Sequence, residues 1–312
     1  MKTFRLVILF FSFPLFADYA WLPSQENLII KTGWEIFKTH ENFDAFNERR
    51  DLITGSVPSS LVQNKFTLDL EYGLSEQWAT YMRTGLLSAV ISQNSSGSGL
   101  LSTSGLFDTS FGFKWRTASA KPVIALEGGI IIPPYSVEQD LPEKLAIGDG
   151  VAGALLRLHA GTKVKRFVFS VSPGLVFRFG GFANQALIEA ACSVVFKDFF
   201  VRLFQSTQLS LNKETTQNPF LNSEVGSGGS FSRLSTQPDL LSLGLRIGAR
   251  LSPKFRTEAF FSQTLWGSEA ANGFSFGLSL VTLLDFFVPD TREKIKEVPF
   301  NSEQEPEKDS DL

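Results

Sequence analysis

The sequence predicts an all-β protein, a closed antiparallel transmembrane β-barrel of about 12 strands in an up-and-down meander. Three observations lead there. Segments of roughly 10–13 residues alternate between apolar and polar side chains, long enough to cross a bilayer at a tilt, where ordinary globular strands run about 5–6. The links between them are short at one end and mostly long at the other, as periplasmic turns and external loops are. The face opposite the apolar one carries charge on most strands, and a pair of stacked soluble sheets would have to bury those charges or expose the apolar faces.

The last segment, Asn272–Phe287, shows the pattern most clearly. Phe274, Phe276, Leu278, Leu280, Thr282, Leu284 and Phe286 fall on one side, and Ser275, Gly277, Ser279, Val281, Leu283 and Asp285 on the other. A sheet in lipid must close on itself, because an open edge leaves backbone groups unpartnered. This strand is therefore expected to pair with the first. Phe274, Phe276, Phe286 and Phe287 are the expected recognition signal for barrel assembly. That signal usually ends the chain, and here an acidic tail follows it.

Composition narrows the class. The 312 residues carry 29 basic and 32 acidic side chains, so no basic excess points to nucleic acid. Only one cysteine is present, which excludes a disulfide framework and a cysteine-rich metal site. Beyond the N-terminus no apolar run approaches ~18 residues, so spanning helices are not expected. Lys2 and Arg5 followed by the apolar run Leu6–Phe16 and Ala17 read as a secretion signal over residues 1–17. Residues 18–27, with Tyr19, Trp21 and Pro23, form a periplasmic segment or a plug. The barrel spans 28–287. Residues 288–312 are acidic and poor in apolar side chains, as in a disordered periplasmic tail.

The strands follow in order from their alternation. Leu28–Phe37 is first, then a long charged loop, then Leu61–Tyr72, a tight link, and Trp78–Ile91 with Arg83 opposite Met82 and Leu86. Ser92–Gly105 reads as a Ser/Gly-rich loop before Leu106–Arg116, where Phe107, Thr109, Phe111, Phe113 and Trp115 share a face. Val123–Ile132, Gly148–Ala160 and Phe167–Phe179 come next. Pro173 in the last of these removes a ladder donor and predicts a bulge or kink. Asn184–Phe196, Phe199–Leu211, Leu240–Leu251 and Phe255–Trp266 lead to the closing strand, with Asn212–Asp239 as the longest loop. The lumen-facing candidates are Arg157, Arg178, Arg202, Arg246, Arg250, Arg256, Glu127, Glu189 and Glu258. Such arginines would favour anions if unpaired and would fill the interior if matched by the acids.

Several stretches resemble the outer-membrane transporter family named for the meta-pathway of phenol degradation, distantly related to long-chain fatty-acid transporters. They are Leu70–Trp78 (LEYGLSEQW), Phe111–Pro134 (FGFKWRT followed by PVIALEGGIIIPP) and Leu243–Phe261 (LGLRIGARLSPKFRTEAFF). Where that family has PTG after the fifth strand, this chain has Pro133, Pro134 and Tyr135. The resemblance implies a barrel of twelve strands and uptake of small hydrophobic or aromatic molecules.

No catalytic or metal site is expected, and no cofactor. The only histidines are His40, placed in an external loop, and His159, facing the lumen near Arg157, and no sequence motif sets a nucleophile beside either. Val225–Gly229 is glycine-rich but precedes no helix, so it is not a phosphate loop. The expected partners are outer-membrane lipid, the barrel assembly machinery and a small-molecule solute, with no nucleic acid. The leading function is a channel or transporter in the bacterial outer membrane. The alternative is a structural or adhesive surface protein whose barrel anchors the loops 38–60 and 212–239.

Overall fold

The computed structural model describes residues 22–43, 48–51, 53–54, 57–93, 99–117, 122–134, 151–212, 239–268 and 270–285. They form a barrel of twelve strands: β1 (Asn27–Phe43), β2 (Val57–Gly73), β3 (Trp78–Gln93), β4, β5 (Val123–Ile132), β6 (Gly153–Val164), β7 (Phe167–Arg178), β8 (Gln185–Val195), β9 (Phe199–Ser210), β10 (Asp239–Arg250), β11 (Phe255–Ser268) and β12 (Ala270–Asp285). Strand β4 comes in two pieces, Gly99–Leu106 and Thr109–Arg116. Two short segments, Arg49–Asp51 and Ile53–Thr54, prolong the β1 and β2 ladders at the long-link end. Each strand pairs antiparallel with its neighbours in the chain.

The expected closure is present. β12 runs along β1 from Asn27↔Asp285 to Phe43↔Ala270, and β1 runs along β2 from Leu28↔Tyr72 to Thr39↔Leu61. No edge is left to expose unpaired backbone in lipid. Alternation then fixes the two faces. Phe274, Phe276, Leu278 and Leu280 are exposed on the outside, while Gly273, Ser275 and Gly277 between them are buried. At the short-turn end Trp78, Trp115, Phe167, Phe199 and Phe255 stand exposed around the barrel, and Phe196 stacks on Phe199 with centroids 4.2 Å apart. Such rings suit a membrane interface. On the outer wall, where Gly128 leaves open space, a groove of about 520 Å³ runs between Leu70, Met82, Phe111 and Ile130.

Four expectations need correction. Ser92–Gly105 is not all loop, because Gly99–Leu106 pairs with β3 from Leu86↔Leu106 to Ser92↔Gly99. Ser and Gly there sit in a ladder prolonged past the membrane rather than in a turn. Between Leu86↔Leu106 and Arg83↔Ser110, three residues of β4 face two of β3, which is a β-bulge. The extra residue reverses the alternation. Phe107, expected on the lipid face with Phe111 and Phe113, instead turns inward, and Lys65 Nζ lies 4.6 Å from its ring centroid. β6 runs to Val164 rather than ending at Ala160, since a two-residue link with Lys165 at φ 54° lets Val164 pair Phe167. Finally, of the bulge or kink expected at Pro173, the bulge is absent. Ser172 and Pro173 leave the β6 ladder, and pairing resumes at Gly174↔Arg157 in the same register as Val171↔Ala160.

Inside, large rings lie over glycines of the next strand. Phe200 pairs with Gly248, Phe204 with Gly244 and Phe260 with Gly277. A Cβ on Gly244 would come within 2.3 Å of Phe204 Cζ and 2.7 Å of the Phe261 carbonyl oxygen. The second contact is backbone and cannot swing away. Gly244→Val is therefore expected to lower the urea midpoint of the reconstituted barrel, by about 1–3 kcal/mol of overpacking.

Candidate functional site

Two acidic hubs organise the inner wall. Glu127 on β5 is fully buried and takes a two-pronged bond from Arg83 on β3, Nη1–Oε1 2.7 Å and Nη2–Oε2 3.0 Å. His159 Nε2 on β6 lies 3.1 Å from Glu127 Oε2, and Lys114 Nζ on β4 lies 3.9 Å from the same oxygen. Lys114 also binds Glu71 on β2. Strand alternation explains the cluster, because Glu127 pairs in register with both Lys114 and Arg157, so side chains from adjacent strands meet on one face.

Glu258 on β11 is the second hub. Its Oε1 accepts from Arg256 Nη2 at 2.7 Å, and its Oε2 accepts from Lys31 Nζ on β1 at 3.3 Å, Arg246 Nη1 on β10 at 3.4 Å and Ser279 Oγ on β12 at 3.3 Å. The guanidinium carbon of Arg246 lies 5.5 Å from the ring centroids of both Phe204 and Phe260, and that of Arg256 lies 5.5 Å from Phe200. Both are cation–π distances.

β5 and β11 are six strands apart in a barrel of twelve, so the hubs stand on opposite walls. Their depths also match. Strand pairings lead from Glu127 through Arg157, Gly174, Leu187, Gln208 and Leu240 to Gly267 in one direction. In the other they lead through Lys114, Ala79 and Gly73 to the Asn27↔Asp285 end of the closing seam, beside the turn before Phe255. Glu258 lies between these two end points.

The remaining candidates take separate places. Arg157 pairs with Glu189 across β7, with Nη1–Oε1 3.6 Å. Arg202 Nη2 reaches Ser170 Oγ at 3.4 Å. Arg178 bonds the Ala183 carbonyl at 3.4 Å and packs on the Phe182 ring. Arg250 is exposed at the turn, donating to the Ser252 carbonyl at 3.4 Å. Phe274 and Phe276 face outward, while Phe286 and Phe287 lie outside the described residues. So do the signal at 1–17, most of the 212–239 loop and the tail. Of the 18–27 segment, Leu22 and Pro23 are buried, and Glu26 N–H bonds the Gly73 carbonyl at 2.8 Å.

His159 has neighbours that its sequence position did not reveal. Its Nδ1 lies 2.9 Å from Ser172 Oγ on β7, while Nε2 faces Glu127. The Ser–His–Glu connectivity is that of a hydrolytic triad, but Ser172 is only 2% exposed and His159 and Glu127 are 0% exposed. A nucleophile needs room for a carbonyl beside it and donors for the oxyanion. Here the acid is instead held by Arg83 and Lys114, which makes the chain a structural brace. His40 is a separate correction. It sits within β1, at the register shift between Thr39 and Glu41, as the extra residue of a bulge and not in an external loop.

Also absent from the expected lining were the inward rings of Phe200, Phe204 and Phe260. Alternation did carry them: Phe200 and Phe204 share the Arg202 face of β9, and Phe260 shares the Arg256 and Glu258 face of β11, so placing those charges in the lumen places the rings there too. A second signal lay next door, in the four-residue spacing of Gly244 and Gly248 matching that of Phe204 and Phe200.

The sequence matches no protein-family model and none of the curated proteins. Among solved structures, an outer membrane channel from Pseudomonas putida F1 superposes with a TM-score of 0.65 at 13% identity, covering 86% of this chain and 98% of that one. Two others overlap more loosely. The translocator domain of the autotransporter NalP from Neisseria meningitidis gives 0.45 at 10% identity, over 85% of this chain and 91% of that one. The CymD monoaromatic hydrocarbon channel gives 0.41 at 8%, over 85% and 90%. The closed, lipid-faced meander described above is thus a bacterial outer-membrane β-barrel fold.

Proposed function

We propose that the protein is a channel of the outer membrane that passes small hydrophobic or aromatic molecules. The observation that supports this reading is the direction of the inner ion pairs. Arg83–Glu127, His159–Glu127, Lys114–Glu71, Arg157–Glu189 and Arg246–Glu258 each join strands at most two apart. These bonds brace the wall and do not tie one side of the barrel to the other. An inner surface that carries Phe107, Phe200, Phe204 and Phe260 between such pairs offers apolar as well as charged footing. The buried Leu22 and Pro23 suit an N-terminal segment that turns into the short-turn mouth and narrows it.

Single-channel recording in planar bilayers, with uptake of a neutral aromatic such as benzyl alcohol into vesicles, tests this. Discrete conductance and uptake above protein-free vesicles are expected. An assembled barrel with neither would overturn the reading and leave the barrel as an anchor for its loops.

A further inference from the structure

The two hubs differ in a way that the channel reading does not require. Around Glu127 the charges balance: Lys114, Glu127 and His159 are fully buried, Arg83 is 25% exposed, and Glu71 supplies a second carboxylate against the two cations. Glu258 is covered as well, with its side chain 2% exposed, but the cations around it are not, at 20% for Arg246, 26% for Lys31 and 41% for Arg256. Three cations meet one carboxylate there. The neighbouring ladder row runs Asp69, Lys31, Val281, Arg256, Arg250, which adds one acid and one base and leaves the excess in place. Lipid lies behind this wall, so the positive field is directed inward.

The surroundings of that charge are aromatic. Phe200, Phe204 and Phe260 reach over Gly248, Gly244 and Gly277, the Phe204 and Phe260 rings meeting edge-on at 71°, with the Arg256 and Arg246 guanidinium carbons 5.5 Å from their centroids. Each guanidinium carries five donors in a planar fork. The Nε atoms of Arg246 and Arg256 are covered and have no hydrogen-bond partner among the described residues. A planar carboxylate matches the fork of a guanidinium, and a flat apolar body matches the rings.

The geometry points to a binding site for monoanionic aromatic carboxylates at Arg246 and Arg256, with Phe200, Phe204 and Phe260 as its aromatic lining. The carboxylate meets the guanidinium groups and the ring of the solute packs against the phenyl rings. Neutral aromatics find the same lining but leave the excess charge unmatched. Inorganic phosphate finds the charge but gains nothing from the rings. This inference deepens the channel reading by naming a solute class, yet the site can be tested without any flux.

The test is equilibrium binding of 2-naphthoate to the full barrel in detergent, followed by its fluorescence, with 2-naphthalenemethanol as the neutral counterpart. The acid is expected to bind about ten-fold more tightly or better, as charge-assisted hydrogen bonds allow. The double variant Arg246→Gln/Arg256→Gln is expected to abolish that preference, the acid losing at least about ten-fold more affinity than the alcohol. Heat-shifted mobility on gels confirms that the variant is folded. If the double variant does not assemble, the single variant Arg256→Gln, which alters the most exposed cation, carries the test with a smaller loss. Equal affinity for acid and alcohol overturns the assignment, as does a preference that survives in the assembled variant. A barrel that conducts but shows neither effect leaves the channel standing without this site. One that binds as expected but does not conduct keeps the site and loses the channel.

Discussion

Glu127→Ala is expected to destabilise the barrel by roughly 3–5 kcal/mol, the usual cost of removing one partner from a buried ion pair. The carboxylate is the shared acceptor for Arg83, Lys114 and His159, drawn from three different strands. Alanine leaves the positive charge of Arg83 and Lys114 in an interior with fewer ways to neutralise it, and it leaves a space where the carboxylate stood. Glu127→Gln keeps the volume and some hydrogen bonding, so it should lose less. Urea unfolding of the reconstituted protein, followed by tryptophan fluorescence, reads the difference directly. A shift of the alanine variant below about 1 kcal/mol would mean that the hub is not a brace.

Leu278→Arg is the second large effect. Leu278 stands in the middle of β12 on the outward face, between Phe276 and Leu280, and pairs with Trp34 on β1. An arginine at the bilayer midplane of a barrel costs about 2–4 kcal/mol, falling to ~0–1 near the interfaces. The same substitution at Leu284, nearer the short-turn end, should therefore cost clearly less. The expected signature is this depth profile, measured as unfolding midpoints in vesicles. Equal costs at both positions would contradict a membrane-spanning face for β12.

Most of the architecture was legible because a strand in lipid must keep one face apolar along its whole length. That constraint writes a period of two into Phe167–Phe177 or Leu241–Ile247 that no turn interrupts. Where the period was broken locally, the reading failed. A single inserted residue near Phe107 turned that ring from lipid to interior, and another at His40 set a bulge where a loop was expected. Neither insertion changes composition, so only the ladder of the neighbouring strand reveals it. The interior charges could be assigned to a face, but not to one another. Arg83, Glu127, His159 and Ser172 come from four strands, and their meeting depends on the stagger between strands, which alternation does not encode.

The seam between β1 and β12 bears on how the molecule comes into being. Asn27 pairs with Asp285, so the first spanning strand waits for its mate until the final one has been synthesised. Until then the growing sheet presents two open margins, each a template for joining the wrong chain. Contacts of such long sequence separation are also slow to form. Production of this barrel therefore hinges on a waiting period. The unfinished chain has to be kept apart from its own copies until the margins meet.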